Sequence, residues 1–434
     1  MRRIRKIPVL AVAGMLMIAG CGGGNSNDTA AAGSSGAPAS DSGGSTDANG
    51  VKIGPGISAD TITLGVLTDH TGVFKDLGNA ISAGHQIWAD EVNGKGGICG
   101  RKIAIDTVDH GYKADQAKIQ FPDLEPKSAA FLDLLGSPVI AALKQDIADK
   151  QLTTLAISWS SVLLGAPYVT IVGTTYDLEM VNALDYLFDQ GKLKKGDKIG
   201  HVYIDGEYGG NGLLGSKYFA AQHGMTVDEA KVTATDTDMK SIVTKFKGDG
   251  VKVIALTSTP TQTASVATNN AALGLKVPMV GNNPTFAPAL LGTPAAAALA
   301  PLILAQSGVP FSSSVAEAKT IAATFTKQHP DLKPNYGVQL GYSFGLIMGE
   351  VLTKACAAKD LTRAGIHNAL LASNNINTDK LLPPLDYSKP GQPASRSVYI
   401  VQVDKASPGG LKQLKALYEG KDATTYQVPA AAAS

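Results

Sequence analysis

Beyond about residue 57 the chain alternates between short β-rich stretches and amphipathic helical stretches. Strand patterns lie at 61–68, 101–108, 129–135 and 153–157, and helical patterns separate them. A connection between two parallel strands needs a crossover long enough to hold a helix, so this alternation indicates a parallel sheet with helices on both faces. The first part of the folded chain is therefore predicted to be a doubly wound α/β unit.

The same alternation begins again further along the chain. Strand patterns recur at 198–204, 226–232, 251–257 and 277–281, and a further strand is expected at 302–307. Two series of similar length predict an α/β fold with two doubly wound parallel-sheet lobes. Such sheets bind ligands at the carboxyl ends of their strands, and two facing lobes form a cleft. A small-molecule site is therefore expected between the lobes.

The N-terminal residues have the pattern of an export signal. Basic side chains precede an apolar stretch at 7–19, which is shorter than the roughly 20 residues that a membrane-spanning helix needs. The stretch ends in the run IAGC at Cys21, which resembles the lipobox of bacterial lipoproteins and implies cleavage before Cys21 and lipidation of its sulfur. An ordinary signal peptide with an incidental cysteine is the alternative. We expect residues 1–20 to be a lipoprotein signal peptide.

Composition predicts a tether after this signal. Residues 21–56 are rich in Gly, Ser, Ala, Asp and Asn and contain no aromatic side chain. Such a segment buries too little apolar surface to offset its conformational entropy, so it is predicted to be disordered. The whole chain has 38 Lys and Arg against 37 Asp and Glu, and this balance indicates no nucleic-acid partner.

The cysteines leave two possibilities open. If Cys21 carries lipid, Cys99 and Cys356 remain. Outside the cytoplasm two such thiols can form a disulfide, or they can be buried as unpaired small apolar side chains. No CxxC motif or Cys/His cluster with metal-ligand spacing accompanies them.

Motifs that carry catalysis are missing from the sequence. Neither Gly-x-Ser-x-Gly nor a Walker A loop occurs. Glycines at 206, 209, 210 and 212 follow a strand, but their spacing does not match Gly-x-Gly-x-x-Gly. We therefore predict no catalytic residue, no metal site and no cofactor.

Several stretches, taken in order, resemble the type I periplasmic binding proteins of the branched-chain amino acid and amide branch. The opening strand at 62–67 and the run EVNGKGGICGRKI at 91–103 are similar to that family's first strand and its helix-ending turn. IDGEYG at 204–209 and ALGLKVPMVG at 272–281 are similar to its second-lobe motifs. The resemblance covers about residues 60–403.

This resemblance implies that the chain passes between the lobes three times, near Thr174, Leu304 and Asn377. Each lobe is then discontinuous in sequence. Lobe 1 comprises 57–174 and 305–377, and lobe 2 comprises 175–304 and 378–434.

The resemblance also implies ligand-binding residues. Ser137 and the hydroxyls of Ser158 and Ser160 match the positions that hold the ligand's carboxylate or an equivalent group. Ser137 lies at a predicted helix N-terminus, where free N–H groups favour an anionic oxygen, although it could instead only cap its own helix. Tyr208 matches an aromatic residue that covers the ligand, with a solvent-facing loop tyrosine as the alternative.

Thr259 and Asn283 match positions of further contacts. Amino acid binders of the family often have an acidic residue near the position of Asn283, and an amide there does not neutralise an ammonium group. The sequence therefore raises a doubt about a zwitterionic amino acid as the ligand.

Function follows from the same resemblance. It implies a monomeric, lipid-anchored receptor outside the cytoplasm that delivers a small polar solute, such as an amino acid or amide, to the permease of an ABC importer. A sensor of the same fold that signals to a membrane partner is the main alternative. A secreted enzyme with an unrecognised catalytic group is a third.

Overall fold

The computed structural model describes residues 45–429, which lie within one compact unit. The predicted signal peptide, Cys21 and most of the predicted tether lie outside the described residues. Within the described part, none of the helices combines the length and the apolar character that crossing a membrane requires.

Strands and helices alternate along the described chain. The strands are β1 (Ser45–Thr46), β2 (Lys52–Ile53), β3 (Thr61–Thr68), β4 (Lys102–Asp109), β5 (Ala130–Leu135), β6 (Thr154–Ile157), β7 (Val169–Ile171), β8 (Lys198–Ile204), β9 (Thr226–Val232), β10 (Val253–Thr257), β11 (Met279–Asn282), β12 (Leu302–Gln306), β13 (Asp360–Leu361), β14 (Val398–Val403) and β15 (Leu411–Tyr418). The α-helices are α1 (Lys75–Gly94), α2 (Ala114–Leu124), α3 (Ser137–Asp149), α4 (Tyr176–Asp189), α5 (Glu207–Gln222), α6 (Lys240–Gly248), α7 (Pro260–Ala272), α8 (Ala296–Leu299), α9 (Ala316–Gln328), α10 (Gly337–Ala357), α11 (Arg363–Leu371) and α12 (Lys421–Thr425).

The first sheet has five parallel strands in the order β4-β3-β5-β6-β7. The strand predicted at 61–68 matches β3 in both bounds, and those predicted for β4, β5 and β6 differ by at most one residue at either end. Every residue of β5 and β6 is buried, as expected for central strands covered on both faces. The predicted doubly wound unit is confirmed, with β7 as an additional short edge strand that the sequence did not reveal.

The second sheet has seven strands in the order β15-β14-β12-β11-β10-β8-β9. Strands β8 to β12 are parallel to one another, whereas β14 and β15 add an antiparallel pair at one edge. The predicted fold class is therefore confirmed: the chain forms two lobes, each built on a largely parallel sheet with helices between its strands.

Three segments join the two sheets, and they lie together. They connect β7 to α4, β12 to α9, and α11 to β14. The Ser395 N–H donates a hydrogen bond of 3.1 Å to the carbonyl of Gly173, and a Cβ on Gly173 would lie only 2.9 Å from the Ser307 side chain. The third segment passes β7 at residues 387–394 and enters the second sheet at Val398.

Residues 45–56, which composition assigned to the tether, belong to the folded unit. Strand β2 pairs with β1 and also with β13. Asp47 forms an ion pair of 2.5 Å with Arg101, whose side chain is buried. The prediction of a disordered tether is therefore wrong for residues 45–56, because these long-range partners leave no local signal in a Gly-rich segment.

A disulfide joins Cys99 to Cys356. Cys99 lies in the turn after α1, and Cys356 lies in the last turn of α10. Helices α1 and α10 also pack on each other, and α10 packs on β5. The disulfide therefore fastens the later helices of the chain to the N-terminal half of lobe 1.

Candidate functional site

An aromatic cleft lies where the carboxyl ends of the two sheets face each other. We use the name aromatic cleft for the cavity lined by Phe74, Leu77, Tyr112, Leu135, Gly136, Ser137, Ile157, Trp159, Tyr176, Tyr208 and Pro284. They leave a cavity of about 10 Å³, which is room for about one water molecule. The lobes are therefore closed on each other, and a ligand needs them to separate before it enters.

Ser137 lines the cavity, and Ser158 lies behind it as its hydrogen-bond partner. Both side chains are buried, and their hydroxyl oxygens lie 2.7 Å apart. Ser137 is the first residue of α3, and its hydroxyl bonds to the Ser158 hydroxyl of the neighbouring loop. Its hydroxyl and the free N–H groups of the first turn of α3 therefore point to a place where an anionic oxygen is stabilised.

Trp159 and Ser160 continue the loop that follows β6. The Trp159 Nε1–H donates to the carbonyl of Val172 at 2.8 Å, which holds the indole against the wall of the cleft. The Ser160 hydroxyl is buried and reaches only a long contact of 3.5 Å with the Glu207 carbonyl of lobe 2. Trp159 thus contributes a fixed apolar surface, and Ser160 lies where the lobes meet.

Tyr208 covers the cleft from lobe 2. It is 3 % exposed, and its ring centroid lies 4.7 Å from that of Tyr176 and 6.2 Å from that of Phe74. Burial raises the pKa of Tyr208 well above its usual range, so its hydroxyl stays protonated; it donates to the Ser258 carbonyl and to Asn282 Oδ1, both at 3.3 Å. The ring, not the hydroxyl, is presented to the cleft.

A glycine after Tyr208 allows this position. A Cβ on Gly209 would lie 1.8 Å from the carbonyl oxygen of Ile204, so α5 packs on the end of β8 only because that Cβ is missing. Gly209, one of the glycines that do not match a dinucleotide-binding motif, therefore lets the first turn of α5 lie close to the sheet.

Thr259 and Asn283 are buried but do not line the cleft. The Thr259 hydroxyl accepts from the Gln262 N–H in a capping box that starts α7. The Asn283 Nδ2 donates to Glu179 Oε1 at 2.8 Å, and its backbone N–H donates to Glu179 Oε2 at 3.1 Å. Both side chains are engaged by protein groups, and Pro284 is the residue of that loop that reaches the cleft.

Glu179 is the centre of a buried polar cluster that the sequence analysis missed. It lies in the first turn of α4 behind Tyr176, is fully buried, and accepts a further hydrogen bond of 3.1 Å from Ser307. Burial raises the pKa of Glu179 well above its usual range, although the Ser307 and Asn283 donors oppose that rise. Charged residues within a helix as apolar as α4 are the signal that could have indicated this cluster.

A second polar network links the lobes beside the cleft. The amide of Asn211 accepts from the Ser161 N–H at 3.1 Å and donates to the Ser161 hydroxyl at 2.5 Å. The Ser161 hydroxyl also donates to Asp177 Oδ2 at 2.8 Å. Ser161 belongs to lobe 1 and the other two to lobe 2, so this network stabilises the closed arrangement.

One group of side chains in the described part has the composition of a metal site. It comprises Asp185, His223 and Asp422, whose nearest ligand atoms all lie within 4.8 Å of one another. Protein contacts account for them, because Asp185 accepts the N–H groups of Asp422 and Ala423 while Asp422 pairs with His223 at 2.5 Å. The group fastens α12 to α4 and α5 and lies apart from the cleft lining.

The sequence matches a known family over most of its length. The family model described as "Periplasmic binding protein" matches residues 61–408. No curated protein matches the chain at a significant level.

Solved structures agree with this assignment. A fatty acid ABC transporter substrate-binding protein from Thermomonospora curvata is 39 % identical with a TM-score of 0.87, covering 89 % of this chain and 100 % of that one. A branched chain amino acid ABC transporter structure from Thermus thermophilus with bound valine is 17 % identical, with a TM-score of 0.75 and coverage of 85 % and 99 %.

A third structure extends the likeness in fold. It is a solute binding protein of an ABC transporter from Rhodopseudomonas palustris in complex with 3,4-dihydroxy benzoic acid, 18 % identical, with a TM-score of 0.69 and coverage of 85 % and 100 %. The chain described here belongs to the type I periplasmic binding proteins, as a solute-binding receptor of the ABC transporter type and not an enzyme.

Proposed function

We propose that this protein is a lipid-anchored receptor that delivers a hydrophobic carboxylic acid of the fatty acid type to an ABC importer. The observation that carries the proposal is the lining of the aromatic cleft, which combines apolar and aromatic side chains with Ser137, whose buried hydroxyl bonds to that of Ser158. Such a lining suits a ligand with an apolar body and a single anionic end.

The serine pair suits the carboxylate end. Ser137 and Ser158 present hydroxyl donors beside the first turn of α3. A carboxylate bound there accepts charge-assisted hydrogen bonds and lies in the favourable field of the helix N-terminus.

An ammonium group finds no partner in the same lining. None of the side chains that line the cavity is acidic. Two buried carboxyls lie near the lining, and protein groups already occupy both. Glu179 accepts hydrogen bonds from Asn283 and Ser307, and burial raises its pKa. Asp69 accepts from the N–H groups of Gly72 and Phe74. A zwitterionic amino acid would therefore leave a buried charge without a partner, which is costly. The lining thus favours a different solute class from the amino acid or amide that the family resemblance implied.

The relative from Thermomonospora curvata supports this choice, because it is a fatty acid ABC transporter substrate-binding protein and shares 39 % of its residues with this chain. Uptake by such a receptor requires the lobes to separate about the three connecting segments and then to close around the ligand.

Calorimetric titration of the purified protein, first stripped of bound lipid, tests the ligand class. We expect dodecanoate to bind and leucine to give no heat. Binding of leucine with dodecanoate inactive would refute the proposed solute class, and binding of neither would refute both classes.

The lipid anchor has its own test. Cys21 lies outside the described residues, so the anchor rests on the lipobox resemblance. Replacement Cys21→Ala should move the protein from the membrane fraction to the soluble fraction of cells. Retention of the variant in the membrane fraction would exclude lipidation at Cys21 as the means of attachment.

A further inference from the structure

A second cavity, of about 160 Å³, lies on lobe 1 along the edge strand β7. Its walls are the segment 163–171, helix α11 and the segment 387–394, and we call it the edge pocket. It shares no lining residue with the aromatic cleft. Because β7 is the last strand of its sheet, one side of this strand is free of a neighbouring strand and faces other elements.

The body of the edge pocket is apolar. Leu163, Ile171 and Leu370 are buried and line it. The rings of Tyr168 and His367 lie beside each other with centroids 4.2 Å apart, and both belong to the lining. The pocket therefore offers aliphatic walls together with an aromatic surface, which suits a compact apolar group.

A buried hydroxyl in this lining has no hydrogen-bond partner among the described residues. Tyr387 is 7 % exposed, and its Oη makes no hydrogen bond there. Burial raises the pKa of Tyr387, so the hydroxyl remains a donor. A buried donor without a partner is costly, and a ligand acceptor or a water molecule in the pocket removes that cost.

The electrostatics of the lining favour an anion. Lys389 is its only permanently charged side chain, and it lies at the exposed rim, 3.0 Å from Asp386. His367 also has its Nδ1 without a partner in the described part of the chain, and burial lowers its pKa, so it is neutral at neutral pH. The interior donor and the lack of an acidic side chain in the lining match a carboxylate, and the ion pair of Lys389 with Asp386 lies at the rim.

We propose that the edge pocket is a second ligand site, for a small apolar monocarboxylate. The carboxylate accepts from Tyr387 Oη–H and lies toward Lys389. The apolar body packs between Leu163, Ile171 and Leu370, beside the Tyr168 and His367 rings. This site is independent of the solute proposed for the aromatic cleft, because the two cavities have separate linings.

Benzoate is a suitable probe, since it combines a compact aromatic body with one carboxylate. Calorimetric titration of benzoate is compared for the wild-type protein, Tyr387→Phe and Ser137→Ala. Tyr387→Phe removes the hydroxyl and keeps the ring, and it should weaken benzoate binding about tenfold, the equivalent of one hydrogen bond of about 1.4 kcal/mol. Ser137→Ala removes the hydroxyl proposed to hold a carboxylate in the aromatic cleft, so the benzoate binding that remains in this variant is that of the edge pocket.

Three results would overturn the proposal. The first is no benzoate binding by the wild-type protein, which would mean that the edge pocket holds only water. The second is a loss of binding in Ser137→Ala with full binding in Tyr387→Phe, which would place benzoate in the aromatic cleft alone. The third is equal affinity for benzamide, which would exclude recognition of the negative charge. A thermal melt of each variant checks that it folds.

Discussion

The two walls of the aromatic cleft hold their side chains in different ways. On lobe 1, Ser137 and Ser158 follow directly from the ends of strands β5 and β6, and they bond to each other. On lobe 2, Tyr176 and Tyr208 present rings from the first turns of α4 and α5, and Glu179 lies buried behind Tyr176. We therefore propose that the lobe 1 wall carries the polar contacts to the ligand. On lobe 2, the polar cluster around Glu179 supports the wall from behind and does not line the cavity.

Because the two walls differ in this way, substitutions in them should affect ligand affinity and the stability of the fold separately. Changes in the lobe 1 serines should alter ligand binding and leave the fold nearly unchanged. Changes in the cluster behind lobe 2 should alter the stability of the fold first and ligand binding only as a consequence.

The largest effect is expected for Glu179→Ala. The substitution leaves the Asn283 side-chain and backbone donors and the Ser307 hydroxyl without their acceptor in a fully buried place. A stranded buried donor costs about 1–3 kcal/mol, so the free energy of unfolding should fall by about 3 kcal/mol or more. Urea denaturation measures it, and a fall below 1 kcal/mol would show that the cluster does not support the lobe.

Ser137→Ala is expected to have the next largest effect, on affinity. Loss of a hydrogen bond to a charged ligand oxygen corresponds to about 1.5–3 kcal/mol, so dodecanoate should bind roughly 10- to 100-fold more weakly by calorimetry. Thr259→Ala is the matched control, because Thr259 caps α7 and does not line the cleft. Thr259→Ala should lower the free energy of unfolding by about 1 kcal/mol and leave dodecanoate affinity unchanged. A loss of affinity in Thr259→Ala alone would mean that Thr259, and not Ser137, contacts the ligand.

A smaller effect is expected in the pH dependence of Glu179→Gln. The folded-state pKa of Glu179 is raised, so its contribution to stability is fully present below its ordinary pKa and is lost as the pH rises toward the raised value. Over that interval the wild-type protein should lose stability relative to the glutamine variant by up to about 1.4 kcal/mol per pH unit. Parallel urea denaturation curves from pH 4.5 to 8 measure the difference, and a difference that does not change with pH would show that Glu179 is ionised in the folded state.

The fold was predictable because its signals are local and repeated. The strand pattern at 61–68 and its counterparts in both series repeat with helical patterns between them, and this repetition specifies two parallel sheets. Strand β7 was not predicted because three residues are too few to show the two-residue alternation of a strand. The folded structure of residues 45–56 was not predicted because it depends on partners far along the chain, such as Arg101 and β13.

A position beside the cleft was predictable only where a side chain follows a strand end or lies in a recognisable loop motif. Ser137 and Tyr208 line the cavity, and Ser158 bonds to Ser137 behind it. Ligand binding by these residues stays a prediction. Whether a neighbouring side chain faces the cavity or the protein depends on packing that the sequence does not display. Thr259 therefore turns to cap its own helix, and Asn283 turns toward Glu179.

The smallest effect is expected at Tyr208, where two substitutions distinguish the contribution of the ring to affinity from that of the hydroxyl. The hydroxyl makes two long hydrogen bonds of 3.3 Å, both to protein groups, and Asn282 Oδ1 also accepts from Thr285 at 3.2 Å. Because these bonds are weak and do not involve the ligand, Tyr208→Phe should change dodecanoate affinity by only about twofold. Tyr208→Ala removes the ring that covers the cleft and should weaken binding about tenfold, since a buried aromatic contact contributes about 1.5 kcal/mol. Calorimetry of the two variants distinguishes the roles. If phenylalanine weakens binding as much as alanine does, lobe 2 also supplies a polar contact, and the contrast between the two walls is wrong.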